Sequence, residues 1–243
     1  MLRAIGACAC RSRSSAADSA NKSIMYSHAL FRRLIGALAF FCATPIIQAS
    51  GDTTAPTGEW RYEIIRGDRN IGSHSIQFSQ SGTHLDVHIE TSVTVKLGFV
   101  VVYRYSHLGH ETWKDGQLVA LETTTDDDGN PHRVIAARDG DALKVESDGA
   151  SARVSDGILP DSLWNQQFID RDEVLDSDNG HIARAHAEFL GTETLIARGE
   201  TISARHYRIV GDLQCEVWYD TVGTLVHIRF IGSDGSNIDY VLQ

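Results

Sequence analysis

His84 to Leu97 reads HLDVHIETSVTVKL, and its character changes at every second letter. Leu85, Val87, Ile89, Val93, Val95 and Leu97 share one parity, opposed by His84, Asp86, His88, Glu90, Thr94 and Lys96. Successive side chains of a strand point to opposite faces, so this stretch is a strand with a dry side and a wet side. A helix would repeat its apolar residues three and four positions apart, which this segment does not do.

The same period extends in both directions. Upstream, Trp60–Ile65 and Ile71–Phe78 flank Gly67, Asp68, Arg69 and Asn70, a turn set, and Ser81-Gly82 supplies the next reversal. Downstream, Val100–Trp113 follows Gly98, and further turns fall at Asp115-Gly116, Asp126–Asn130, Asp139-Gly140 and Asp148-Gly149. Strands are expected again over His181–Leu190, Glu193–Ala197, Ile202–Val210, Leu213–Tyr219, Leu225–Ile231 and Asn237–Leu242. After Glu59 the prolines are Pro131 and Pro160 alone, which suits a meander. The fold class is therefore all-β and mainly antiparallel. A sheet of about a dozen strands rarely stays flat, because its twist accumulates, and a strongly curved half-barrel is the expected outcome. One short helix is expected at Asp161–Ile169 (DSLWNQQFI), where Pro160 precedes an acidic first turn and Leu163, Trp164 and Phe168 give an apolar side. It would plug or cap the half-barrel.

Ahead of this domain, Leu34–Ala43 is an apolar run preceded by Arg32-Arg33, and Ile47-Gln48-Ala49 ends like a cleavage site. Residues 25–49 read as a signal peptide, 1–24 as an unstructured extension or mis-assigned start, 50–58 as a flexible mature terminus, and 59–243 as one β domain. The apolar run is short of the about 20 residues a membrane span needs, so stable insertion is not expected. Periplasmic or secreted localisation follows from cleavage near Ala49. Cys8, Cys10 and Cys42 fall before that point, which leaves Cys215 in the strand-like run Leu213–Tyr219 as a small buried hydrophobe.

Residues 1–49 contain six of the 22 Lys and Arg and one of the 32 Asp and Glu, so the remainder holds 16 basic against 31 acidic residues. A surface this acidic repels phosphate backbones and anionic headgroups, and nucleic acid is excluded as an expected partner.

Val100–Trp113 presents the best candidate surface. Tyr103, Tyr105, His107, Glu111 and Trp113 share parity, so an unbroken strand sends all five to one side. Flat rings with a few polar groups suit a ligand pocket, and Trp164 and Asn165 on the expected helix would meet that pocket as lid contacts. The same residues also suit an ordinary core whose hydroxyls, imidazole and carboxylate are satisfied by neighbours. Metal binding was weighed at His84, Asp86 and His88, which project from one face with Glu90 next in line. Alternate residues of a strand stand about 6.6 Å apart, wide for a compact site, and no metal is assigned. Asp126–Asn130 lacks the later Glu of a calcium loop and reads as a turn.

No Gly-x-Ser-x-Gly elbow, His-Glu-x-x-His helix, phosphate-cradling loop or cysteine pair is present, so no catalytic role and no cofactor is expected. A resemblance adds to this. Tyr62, Ile71-Gly72, Tyr103-Arg104-Tyr105-Ser106-His107 with Glu111 and Trp113, Thr124-Thr125-Asp126-Asp127, Trp164-Asn165, Tyr207 with Gly211, Trp218-Tyr219 and Tyr240-Val241-Leu242 resemble a family of exported bacterial β proteins known as a domain of unknown function. That family is similar in shape to periplasmic lipoprotein-carrier half-barrels, which have a helical lid and an apolar cavity. The resemblance implies noncatalytic binding of a lipid-like or other amphipathic small molecule. The other class of reading is a structural or interaction protein of the cell envelope with a packed interior. A continuous cavity on the Tyr103 face, or its absence, separates the two.

Overall fold

The alternation between His84 and Leu97 becomes a strand of that span, β3 in chain order, and its odd-numbered residues from Leu85 to Val95 are buried. Two strands precede it, β1 (Gly58–Arg66) and β2 (Arg69–Ser81). Five more follow in a meander: β4 (Val100–Lys114), β5 (Gln117–Asp127), β6 (Asn130–Asp139), β7 (Ala142–Ser147) and β8 (Ala150–Ser155). Short strands β9 (Leu159–Pro160) and β10 (Glu173–Leu175) come next. The last five are β11 (Ile182–Ala197), β12 (Glu200–Gly211), β13 (Cys215–Asp220), β14 (Leu225–Ile231) and β15 (Asn237–Leu242). This computed structural model describes residues 56–243. The expected extension, signal peptide, cleavage site at Ala49 and almost all of the 50–58 terminus lie outside the described residues.

The fifteen strands form one open, curved sheet in the order β8-β7-β6-β5-β4-β3-β2-β1-β15-β14-β13-β12-β11-β10-β9. Every neighbouring pair is antiparallel except β9 with β10. Pro160, which has no N–H to give a ladder, lies on that edge strand. The first and last strands meet in mid-sheet, Tyr62 opposite Leu242 and Ile64 opposite Tyr240. The two meanders therefore run outward from a seam made by the first and last strands. Tyr62, Ile64, Ile76, Leu121, Leu143, Ile209, Leu225 and Ile238 are fully buried on the inner side.

Residues 156–181 connect the two sheet edges by crossing the inner face. Within this cap segment the Leu163 carbonyl accepts from the Tyr219 hydroxyl on β13 at 2.7 Å, and the Asn179 carbonyl accepts from Ser147 Oγ at the end of β7 at 2.6 Å. The segment thus holds both halves of the sheet to one plug.

The expected helix is reduced to one 3-10 turn, Gln166–Asp170. Its acidic first turn is diverted: half-buried Asp161 accepts from Ser177 N at 3.0 Å and Ser177 Oγ at 2.6 Å. Leu163 takes a φ of 63°, a left-handed value that no helix tolerates. Anchoring Asp161, the Leu163 carbonyl and Trp164 to three different partners outweighs the local helical pattern. Two other boundaries shift. The strands expected at 181–190 and 193–197 are one, β11, continuous through a bulge between Phe189 and Gly191. Leu97, placed on the dry side by parity, is 76% exposed, because β3 there outruns its neighbour β2.

Candidate functional site

Parity along β4 does bring Tyr103, Tyr105, His107, Glu111 and Trp113 to the inner side, and all five are buried. Their hydroxyl and indole groups and His107 Nδ1 are bonded within the chain, whereas Glu111 Oε1 is buried without a hydrogen-bond partner. The Tyr103 hydroxyl donates to Asp127 Oδ1 at 2.6 Å, and the Tyr105 hydroxyl donates to Asp178 Oδ1 of the cap at 2.8 Å. His107 Nδ1 lies 2.9 Å from Thr125 Oγ1 and 3.0 Å from Asp178 Oδ1. Glu111 Oε2 accepts from two indoles, Trp113 Nε1 at 2.8 Å and Trp164 Nε1 at 2.9 Å. The Trp164 ring stands edge-on to Trp113 at 5.3 Å and to Phe78 at 5.4 Å. Asn165 is separate from this group: it is the N-cap of the 3-10 turn, accepting from Gln167 N at 3.1 Å. The cap segment therefore occupies the space that a ligand would take in front of Tyr105 and Trp113.

This interior is polar for a β core. Burial raises the carboxyl pKa of Glu111, against the hydrogen bonds from Ser162, Trp164 and Trp113. Burial also raises Asp161, with the charge of Asp178 adding to it, and pushes Asp176 up to about 8, with Asp161 and Asp178 adding to it. Buried His74 bonds Thr91 Oγ1 through Nδ1 at 2.8 Å, while its Nε2 has no partner. Burial lowers its pKa to about 3. On the outer face, His88 stacks on His110 at 4.3 Å and Asp86 Oδ1 lies 3.2 Å from His110 Nε2, so Asp86 and His88 are engaged in cross-strand contacts.

A different site opens at one end of the half-barrel. The β2–β3 ladder ends at Gly72 opposite Val93, and β5 stops pairing β4 at Tyr105 opposite Asp127. Beyond these points β3 and β4 continue as a two-stranded finger, Thr94–Leu97 against Val100–Arg104, with a bulge at Val95 and Lys96 and with the Arg104 carbonyl at its base accepting from Asp128 N at 2.9 Å. Four residues at about 3.3 Å each give a projection of roughly 13 Å. Gly72 marks where β2 and β3 approach most closely, since a Cβ there would lie 2.0 Å from the Ser92 carbonyl oxygen. Past Gly72 the two walls splay. The result is a groove of about 1020 Å³ whose apolar lining is Ile71, Val95, Leu97 and Val102 and whose basic lining is Arg66, Arg69 and Lys96. Asn70, Thr94 and Gly98 complete it.

The sequence reading named none of these residues as a site. The available signal was Leu97-Gly98-Phe99-Val100, a reversal built from apolar residues where polar ones are usual. Phe99 is fully exposed at that tip, and Val100 is 65% exposed.

The family described as Domain of unknown function (DUF6134) matches residues 62–243. The chain belongs to that family. In this DUF6134 chain the match runs from within β1 past the end of β15, so both the buried Tyr103 cluster and the groove lie inside it. Among solved structures, a β-barrel-like protein of another domain of unknown function, DUF1849 from Brucella abortus, is similar with a TM-score of 0.54 at 9% identity. The likeness covers 76% of this chain and 94% of that one. At that identity it bears on the fold alone. None of the curated proteins matches this chain.

Proposed function

We propose that this DUF6134 protein is a noncatalytic binding protein for a lipid-like, amphipathic small molecule, held in the groove between β2 and the β3–β4 finger. The observation that supports this reading is the groove itself, about 1020 Å³ with four aliphatic side chains and convergent polar groups. Ligand pockets of small molecules fall in the range of roughly 300–1,000 Å³ and combine an apolar lining with a few orienting polar groups. The ligand lies at the rim and not against Tyr103, Tyr105 and Trp113, because the cap's own Asp178 and Trp164 fill that face. Export to the periplasm or beyond is part of the same proposal, resting on Arg32-Arg33 ahead of the apolar run 34–43. The likeness to lipoprotein-carrier half-barrels then extends to an open mouth and not to a hollow interior.

The second reading, an envelope protein that binds nothing small, draws support from the internal bonding of Tyr103, Tyr105 and His107. Titration of the purified protein with a fluorescent fatty acid separates the two. Saturable binding is expected, weakened at least several-fold by Val102→Trp, which fills the groove, and unchanged by Tyr105→Phe. No saturable binding, or binding indifferent to Val102→Trp in a folded variant, rejects the groove and favours the packed envelope protein.

A further inference from the structure

The charge of the groove runs against the charge of the chain. Residues 50–243 carry nearly two acidic side chains for every basic one. The groove lining nevertheless contains Arg66, Arg69 and Lys96 and no Asp or Glu. The carboxylates near this rim are engaged elsewhere or do not line it. Asp234 is paired with Arg66, which also donates through Nε to Ser236 Oγ at 2.9 Å, so Arg66 is already neutralised. Asp68 sits in the β1–β2 turn outside the lining.

Arg69 and Lys96 differ from Arg66. Neither makes an ion pair or side-chain hydrogen bond with any described residue, and they stand on opposite walls, Arg69 on β2 and Lys96 on β3. Asn70 lies beside Arg69, and its Oδ1 accepts from Gly72 N at 2.9 Å, which leaves its amide N–H groups for another acceptor. Ile71, Val95, Leu97 and Val102 share the lining with these donors. Donors without acceptors beside aliphatic side chains are complementary to an acceptor-only head on an apolar chain.

We infer that the groove is specific for an anionic single-chain amphiphile, with a carboxylate or phosphate head held between Arg69 and Lys96 and its alkyl chain along Ile71, Val95 and Val102. This rests on the groove being a ligand site, as proposed above. Arg69 contributes a planar fork suited to two oxygens of the head, and Lys96 contributes a point charge across from it. Both side chains are exposed, so the attraction is screened by salt and the preference for an anion weakens as ionic strength rises.

The test is calorimetric titration of the purified protein with laurate, dodecyl phosphate, dodecanol and dodecyltrimethylammonium, each below its micelle concentration, and with inorganic phosphate alone. Two charge-assisted contacts predict laurate and dodecyl phosphate binding about ten-fold or more tighter than dodecanol, with the cationic chain weaker still. Arg69→Gln and Lys96→Gln should each cut that preference several-fold while leaving dodecanol binding unchanged. Dodecanol bound as tightly as laurate overturns the anion preference but leaves the groove standing. Inorganic phosphate bound as tightly as dodecyl phosphate overturns it too, by showing an anion site without an alkyl requirement. Absence of binding by every chain-bearing compound removes the groove proposal itself.

Discussion

Glu111 is the residue on which the inner face turns. One carboxylate oxygen accepts from two buried indoles, one from β4 and one from the cap, so it ties the plug to the sheet. Replacing it by Leu leaves two buried N–H donors without acceptors, a loss of about 2–6 kcal/mol at about 1–3 kcal/mol per orphaned group, partly offset by removing a buried acid. Glu111→Gln keeps an acceptor and should cost less than about 1 kcal/mol. Urea denaturation of the two variants checks this, and equal midpoints for Leu and Gln would contradict it. The buried acids also set a pH dependence. Asp176 ionises near 3.8 in an unfolded chain and near 8 here, so between those values the folded state keeps a proton that the unfolded state has lost, and stability falls as pH rises. His74 acts oppositely between about 3 and 6.5, where the unfolded state holds the extra proton and stability rises with pH. Above pH 6.5 the His74 effect is exhausted while that of Asp176 continues. The melting temperature should therefore decline from pH 6.5 to 8, and Asp176→Asn should flatten that decline; an unchanged slope in the variant would assign it to other groups. At this scale the parity of Tyr103 to Trp113 was legible in the letters, because a strand's period is fixed. Their partners Asp127, Asp178 and Trp164 lie 24 to 73 residues away from them and no local pattern announces such pairings.

Among the elements, strands and turns were the most legible, since the reversals at Ser81-Gly82, Asp115-Gly116, Asp139-Gly140 and Asp148-Gly149 all coincide with hairpin turns in the structure. The bulge at Phe189 and Gly191 was not, because Gly191 reads as a turn residue while its backbone merely kinks a continuing strand. The helix expected over 161–169 failed for a tertiary reason: the apolar spacing of Leu163, Trp164 and Phe168 is real, but Asp161 and Trp164 are pulled to opposite partners. The groove was illegible because it depends on register. Nothing in β2 or β3 alone says that their ladder stops at Gly72 and Val93 while β3 continues. Gly72 is the element-scale test of that geometry. A methyl added there meets the Ser92 carbonyl, so Gly72→Ala should cost about 1–3 kcal/mol by overpacking. Chemical denaturation measures it, and a variant as stable as the parent would show that β2 and β3 are not in close contact before they splay.

At the scale of the whole sheet, the first and last strands form the seam and residues 156–181 form the plug. Two meanders leave the β1–β15 seam in opposite directions, and residues 156–181 return across the inner face to join their far edges. Among the described residues a groove opens at the rim, where the β3–β4 finger outruns its neighbours. The central claim is thus one of place: an amphipathic ligand belongs to the rim groove and not to the Tyr103 face. Crystals of the protein grown with a chain-brominated fatty acid would locate it directly by anomalous scattering. The bromine peak is expected within contact distance of Ile71 and Val102; a peak beside Tyr105 and Trp113, with the cap displaced from the inner face, would contradict the account.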